Sequence, residues 1–159
     1  MSKLSKWLSN AYLFLLLRGL LGIMFITSAV TKFPHHEAFV GVVKGYDILP
    51  DFLATAYADS LPWVELIFGA YLVLAIMVRI SAIVSLLMAI SFMVANVTAI
   101  SRGDEHCGSC FGELTILPVE QAIIMDSLII IASLILIFFQ PQKHLFSLES
   151  LVNKKPALE

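Results

Sequence analysis

Charge is the scarcest feature of this 159-residue chain: Asp, Glu, Lys and Arg make up only 14% of it, against 59% apolar residues. Ordinary soluble domains carry about a quarter charged residues. The deficit excludes a disordered chain, which needs abundant charge and little hydrophobicity, and the net charge of −2 excludes a nucleic-acid binder of the basic type. A mean hydropathy of +0.91 is more than one buried core can absorb in a chain this short, which excludes a water-soluble enzyme. Cysteine is nearly as scarce, and two residues cannot staple a secreted disulfide scaffold. No linker is long enough to separate two domains, and no repeat with a period of roughly 20–50 residues is visible.

What is present instead is long apolar runs. A membrane-spanning helix needs about 20 mostly apolar residues, and four stretches qualify: residues 7–30, 61–77, 80–100 and 118–139. Arg18, Glu65 and Asp126 interrupt the first, second and fourth, and Pro62 and Pro118 are expected in first turns. Only a tight turn around Val78 and Arg79 separates the second and third, so these two form an antiparallel hairpin. The expected fold is all-α: one integral-membrane, antiparallel four-helix bundle, with 140–159 as a cytoplasmic tail. Gly19 and Gly22, Gly69 and Ala70, and Ser81 and Ser85 are the small residues expected at helix contacts. The first run lacks a clean A-x-A site behind it and reads as a retained anchor.

Lys and Arg in short loops set the orientation. With the N-terminus inside, Lys3, Lys6, Arg79, Lys143, Lys154 and Lys155 are cytoplasmic, while Lys32, Lys44 and Arg102 lie outside. This places both termini in the cytoplasm and loops 31–60 and 101–117 on the outer face of a bacterial-type inner membrane. Within the first outer loop, Phe39, Val42, Val43 and Tyr46 recur at helical spacing, which predicts a short interfacial helix over residues 37–46. The pattern stops at Leu49 and Pro50 and resumes over 51–57. Tyr46, Tyr57 and Trp63 are expected at headgroup level.

The second outer loop holds the chemistry-bearing motif Cys107-Gly-Ser-Cys110. Two intervening residues let the sulfurs reach disulfide distance or share a metal, so spacing alone does not choose. A zinc or copper site needs further ligands, for which His106, His35 and His36 are available. A structural disulfide is a third reading. The oxidising outer face favours a redox-active disulfide, with His106 and Arg102 beside it to favour a thiolate.

Intramembrane charges are costly and are usually paired or functional. Glu65 falls a few residues below the outer end of its helix, and Asp126 enters from the same side roughly 10–12 Å down. Lys32 closes the outer end of the first helix, so these three share the outer third of the bundle. They read either as ion pairs fixing helix register or as a proton relay and polar headgroup pocket for a quinone. Asn96 would add a hydrogen bond, and His36, which titrates near neutrality, a proton donor. Arg18 lies about 20 Å below that outer end, too far for easy pairing with Glu65.

These residues form a recognisable series. Arg18-Gly19, Ser28-Ala-Val-Thr-Lys32-Phe33, Tyr46-Asp-Ile-Leu-Pro50, Leu61-Pro-Trp-Val-Glu65 with Gly69, and Cys107-Gly-Ser-Cys110-Phe-Gly112 follow one another over about the first 140 positions. The chain resembles the DoxX-like superfamily, and most closely its MauE-type branch. Many MauE-type chains carry Cys-Gly-Cys-Phe-Gly, so Ser109 enlarges the ring here by one residue. The resemblance implies thiol–disulfide exchange in the periplasm during maturation of methylamine dehydrogenase, and DoxX relatives imply a link to quinone.

The reading that follows is a membrane thiol–disulfide oxidoreductase. Cys107 and Cys110 would exchange with a periplasmic thioredoxin-like or substrate protein, and Lys32, His36, Glu65, Asp126 and Asn96 would bind quinone. Membrane lipid is an expected partner and nucleic acid is not. The alternatives are a non-enzymatic membrane scaffold or maturation subunit with a structural disulfide, and a metal-binding or small-solute transport protein.

Overall fold

The computed structural model describes residues 11–103 and 119–139, and among these the chain is entirely helical. Five helices follow one another: α1 (Ala11–Lys32), α2 (His36–Gly45), α3 (Asp51–Leu74), α4 (Val78–Arg102) and α5 (Val119–Phe138). By length and composition α1, α4 and residues Glu120–Phe138 of α5 suit a membrane crossing. The expected second crossing falls on α3, which is long enough at 24 residues but carries Asp51, Asp59 and Glu65, and these dilute its apolar character. Three clear spans therefore stand where four were expected.

Local chemistry explains where the helices begin and end. The expected interfacial helix forms as α2, with Glu37 in its first turn and Lys44 in its last, both favourable to the helix dipole. Asp47 then adopts a left-handed conformation (φ 46°), which Asp tolerates, and Pro50 caps the start of α3. The resumed pattern at 51–57 and the expected second span are one helix, not two. Pro62 consequently sits inside α3 rather than in its first turn, and the helix forgoes the hydrogen bond that an N–H there would give Ala58.

The α3–α4 turn comes earlier than expected. Ala75 (φ 58°) and Met77 (φ 44°) are left-handed, while Val78 and Arg79 already belong to α4. The Ile76 amide donates to the Tyr71 carbonyl at 2.9 Å and the Ala75 amide to Leu72 at 3.4 Å. This is the Schellman pattern, built here without glycine. At the far end of α4, Gly103 (φ 80°) supplies the usual left-handed glycine cap.

α1 packs most extensively on α3, and α4 on α5. α2 lies against α3, and smaller α3–α4 and α1–α5 contacts join the two pairs. A single apolar core, including Phe14, Phe25, Leu72, Met88, Ile129 and Leu136, runs through the packed helices. The outward faces are also apolar, with Leu16, Leu20 and Ile23 of α1, Leu87 and Val97 of α4, and Leu128 and Ile131 of α5 all exposed. The buried set instead includes Arg18, Lys32, Glu65, Asn96, Asp126 and four serines. A polar interior inside an apolar exterior is the arrangement a bilayer demands. Outward hydroxyls follow the same rule: Thr27 and Thr98 each donate at 2.8 Å to the carbonyl four residues back.

Of the small residues expected at contacts, Gly22 and Gly69 meet each other. A Cβ on Gly22 would lie 2.7 Å from the Gly69 carbonyl oxygen, and one on Gly69 would lie 2.9 Å from that of Gly22. Gly19 has nothing within 4 Å of such an atom and makes no close crossing. Gly22→Ala and Gly69→Ala should each therefore lower stability by about 1–3 kcal/mol through overpacking. Gly19→Ala should be neutral or stabilising, by up to about 1 kcal/mol of helix propensity. Thermal unfolding of the three variants in detergent micelles checks the contrast, and equal melting temperatures would contradict the crossing.

Candidate functional site

Lys32 is the last residue of α1, and its side chain is completely buried. Its ammonium meets Glu65 Oε1 of α3 at 2.5 Å, and the Ser28 hydroxyl donates to Glu65 Oε2 at 3.2 Å. Phe39 of α2 and Phe92 of α4 each present a ring centroid 5.0 Å from the Lys32 nitrogen, within cation–π range. The charge is thus held by a carboxylate and two aromatic faces.

Backbone levels alone would not bring this pair together. Counted from the Gly22–Gly69 crossing, Lys32 is ten residues up α1 and Glu65 only four residues up α3, which is about 15 Å against about 6 Å of rise. Side chains tilt towards the N-terminus of their own helix. In antiparallel helices those tilts point at each other here, so Lys32 reaches down while Glu65 reaches up. Ser28, one turn before Lys32 on the same face, lies at the intermediate height and supplies the second contact.

A second buried polar pair joins the other two long helices. The Asn96 amide of α4 donates to Asp126 Oδ2 of α5 at 2.7 Å. Each residue lies seven positions from the segment 104–118: Asn96 before Gly103 and Asp126 after Val119, or about 10 Å along either helix. Cys107 and Cys110, with His106, lie outside the described residues.

Between the two pairs is a cavity of about 250 Å³. Lys32 and Asn96 line it, together with Phe39, Val43 and Tyr46 from α2 and its end, Tyr57 from α3, and Ser91 and Phe92 from α4. The Tyr57 and Ser91 hydroxyls are 2.6 Å apart on its wall. Glu65 stands behind Lys32, and Asp126 behind Asn96, so each carboxylate is one hydrogen bond removed from the cavity. His36 is elsewhere: its side chain is 42% exposed and its Nε2 is 2.8 Å from Asp59 Oδ1 of α3. This contact ties the start of α2 to α3, and Arg102 donates to the Gly45 carbonyl at 3.3 Å at the other end of α2. α2 is thereby held at both ends across the cavity.

The expected site residues thus divide into two couples facing one cavity, Lys32 with Glu65 and Asn96 with Asp126, and His36 on the surface. Arg18 is buried lower on α1, and Glu65 is engaged by Lys32 and Ser28. Ser28, Phe39, Phe92, Tyr57 and Ser91 complete the site without having been expected there. Ser28 was recoverable, since it is four residues before Lys32 and shares its face. Tyr57 and Ser91 meet across 34 residues of sequence and carry no such signal. Among the described residues no group of three or more His, Cys, Asp or Glu gathers closely enough to hold a metal ion.

Comparison with known proteins agrees with this series of residues. The family model "Methylamine utilisation protein MauE" matches residues 10–139. The methylamine utilization protein MauE of Paracoccus denitrificans is 30% identical over 118 residues, covering 73% of this chain and 63% of that protein. Its namesake from Methylorubrum extorquens is 31% identical over 96 residues, covering 59% of this chain and 51% of that protein. The one from Methylophilus methylotrophus is 31% identical over 88 residues, covering 54% and 46%. The matches therefore extend over about half to two-thirds of these longer relatives. No solved structure matches the chain significantly.

Breaking the buried ion pair from one side leaves an uncompensated charge. Lys32→Met or Glu65→Gln alone should cost about 3–5 kcal/mol, whereas Lys32→Met with Glu65→Leu should melt close to the parent protein. Thermal unfolding in micelles distinguishes this from two independent residues, whose losses would add.

Proposed function

The chain belongs to the MauE family, and from that premise we propose that it is a membrane accessory protein of methylamine utilisation acting as a thiol–disulfide oxidoreductase. In this reading α3 crosses the membrane with α1, α4 and α5, forming a four-helix bundle in a bacterial-type inner membrane. The exposed Trp63, Ile67, Val73 and Leu74 of α3 support its crossing. The Lys32 end faces outward and both termini face the cytoplasm.

The observation that carries the proposal is the cavity itself. It is largely apolar, sits among the outer helix ends, and has a buried ammonium–carboxylate couple on one side and an amide–carboxylate couple on the other. Both helices that flank the Cys107–Cys110 segment contribute to the second couple. A site with apolar walls and a few converging polar groups suits a small planar ligand, and a quinone at this depth would accept electrons that a dithiol gives up.

Cys107 and Cys110 would exchange with a periplasmic thioredoxin-like or substrate protein. A thiolate attacks one sulfur of a disulfide, a mixed disulfide forms, and the displaced sulfur leaves as a thiolate. In the oxidising direction the partner's dithiol becomes a disulfide while the Cys107–Cys110 disulfide becomes a dithiol. Reoxidation of that dithiol releases two electrons and two protons, which a quinone takes up to become quinol. Lys32 would present an N–H to a ligand oxygen while Glu65 neutralises its charge. Asn96 would hold the opposite edge, with Asp126 as proton acceptor behind it. His36 and Asp59 are at the surface, where they can exchange protons with solvent.

Two measurements test this reading. Pre-reduced protein given a soluble quinone without oxygen should lose two thiol-alkylation sites by mass. Cys110→Ser should trap a mixed disulfide with the partner if Cys107 attacks, and Cys107→Ser should do so if Cys110 attacks. Thiols that stay alkylatable, together with no adduct from either single variant, would favour a scaffold whose outer loop only docks a redox enzyme. Retained assembly in the double Cys→Ser variant would point the same way.

A further inference from the structure

The wall that α4 contributes to the cavity has a pattern of its own. Ser91 places a hydroxyl at one end, Phe92, Val94 and Ala95 follow as an apolar strip, and Asn96 places an amide at the other end. Five residues separate the two polar groups, a rise of about 7.5 Å. The facing wall, from α2, is apolar or aromatic: Phe39, Val42, Val43 and Tyr46. The space is therefore a slot, flat on both sides and polar at two opposed edges.

Each polar edge has capacity beyond its protein contacts. The Tyr57 and Ser91 hydroxyls hold two protons, and the 2.6 Å contact between them consumes one. With Tyr57 as donor, the Ser91 proton is available to a third oxygen. The Asn96 amide gives one N–H to Asp126 and carries a second. A six-membered ring with oxygens on opposite carbons bridges the distance when each oxygen accepts a hydrogen bond of about 2.8–2.9 Å. At about 250 Å³ the slot falls below the roughly 300–1,000 Å³ of a pocket for a drug-sized ligand. It therefore takes one ring system and leaves any tail outside.

We propose that this slot recognises a planar ring by two opposed oxygens, the Tyr57–Ser91 hydroxyl pair receiving one and Asn96 the other. The assignment rests on the quinone reading above and adds Tyr57 and Ser91 as the residues that distinguish a two-oxygen ring from a one-oxygen ring. Because the two hydroxyls can fall back on each other, a missing ligand oxygen leaves neither wholly unsatisfied. The discrimination is therefore that of one neutral hydrogen bond, about five- to tenfold in affinity.

The test uses the full chain, with its cysteines oxidised beforehand, in detergent micelles. The probes are a dimethyl-naphthoquinone, whose substituted edge cannot add a thiol, and the matching tetralone, which has the same carbon frame and one carbonyl. The parent protein should bind the quinone about five- to tenfold more tightly than the tetralone. Tyr57→Phe and Ser91→Ala each remove one hydroxyl with almost no change of volume. Each should weaken the quinone by that factor, leave the tetralone unchanged and so abolish the preference. If the quinone binds and both variants keep the preference, the two-edge seat is wrong while the quinone reading stands. If the variants melt earlier but still discriminate, the hydroxyl pair only ties α3 to α4, and the assignment is overturned. If the parent protein binds neither probe, the quinone reading fails and this inference fails with it. Should one variant not fold, the other decides the matter alone.

Discussion

A buried ammonium held against a buried carboxylate organises the outer end of this protein. Either charge alone in a low-dielectric interior would carry a penalty of several kcal/mol. The contact between Lys32 and Glu65 offsets much of that penalty, and Ser28, Phe39 and Phe92 complete the surroundings. Since one charge ends α1 and the other lies within α3, the pair selects one vertical register for two helices that could otherwise slide. The Gly22–Gly69 crossing lower down sets their separation. A register and a distance together define how these two helices meet.

The second consequence concerns the cavity. Phe39 arrives on α2 and Phe92 on α4, and both must approach Lys32 for its charge to be covered. Their convergence draws α2 across the helix ends, where the His36–Asp59 and Arg102–Gly45 contacts hold it. The slot is what remains between α2 and α4 once these contacts are made. Polar groups at its edges and apolar faces between them follow from the same packing, because Ser91, Phe92 and Asn96 share one helix. Stability and recognition therefore draw on the same residues, and Lys32 belongs to both.

The polarity of the molecule is inverted relative to a soluble protein. Leucine and isoleucine stripes face outward while lysine, glutamate, aspartate, asparagine and serine face inward. In water such an exterior would aggregate; in hydrocarbon it is solvated, and the interior becomes the one place where polar groups find partners. Ten Lys and Arg and twelve Asp and Glu in 159 residues suffice because so few are needed at the surface.

Much of this was legible in the residues. Long apolar runs announced membrane helices, and the period of Phe39, Val42 and Val43 announced α2. The rarity of charge within the runs singled out Lys32, Glu65 and Asp126 as residues that must find partners. α3 was harder to read, because Pro62 normally marks a helix start and here lies within a helix whose first ten residues looked like loop. The α3–α4 turn moved to Ala75–Met77 because left-handed backbone at non-glycine residues leaves no mark in sequence.

Composition and periodicity are local properties, and they determined that helices form, roughly where, and which side chains are too costly to bury alone. They could not determine partners. Which charge meets which depends on the relative height of two helices, and that height came from the Gly22–Gly69 approach and the opposed tilt of Lys32 and Glu65. Tyr57 and Ser91 meet only because α3 and α4 fold back on each other, a relation among distant residues that only the packed structure decides.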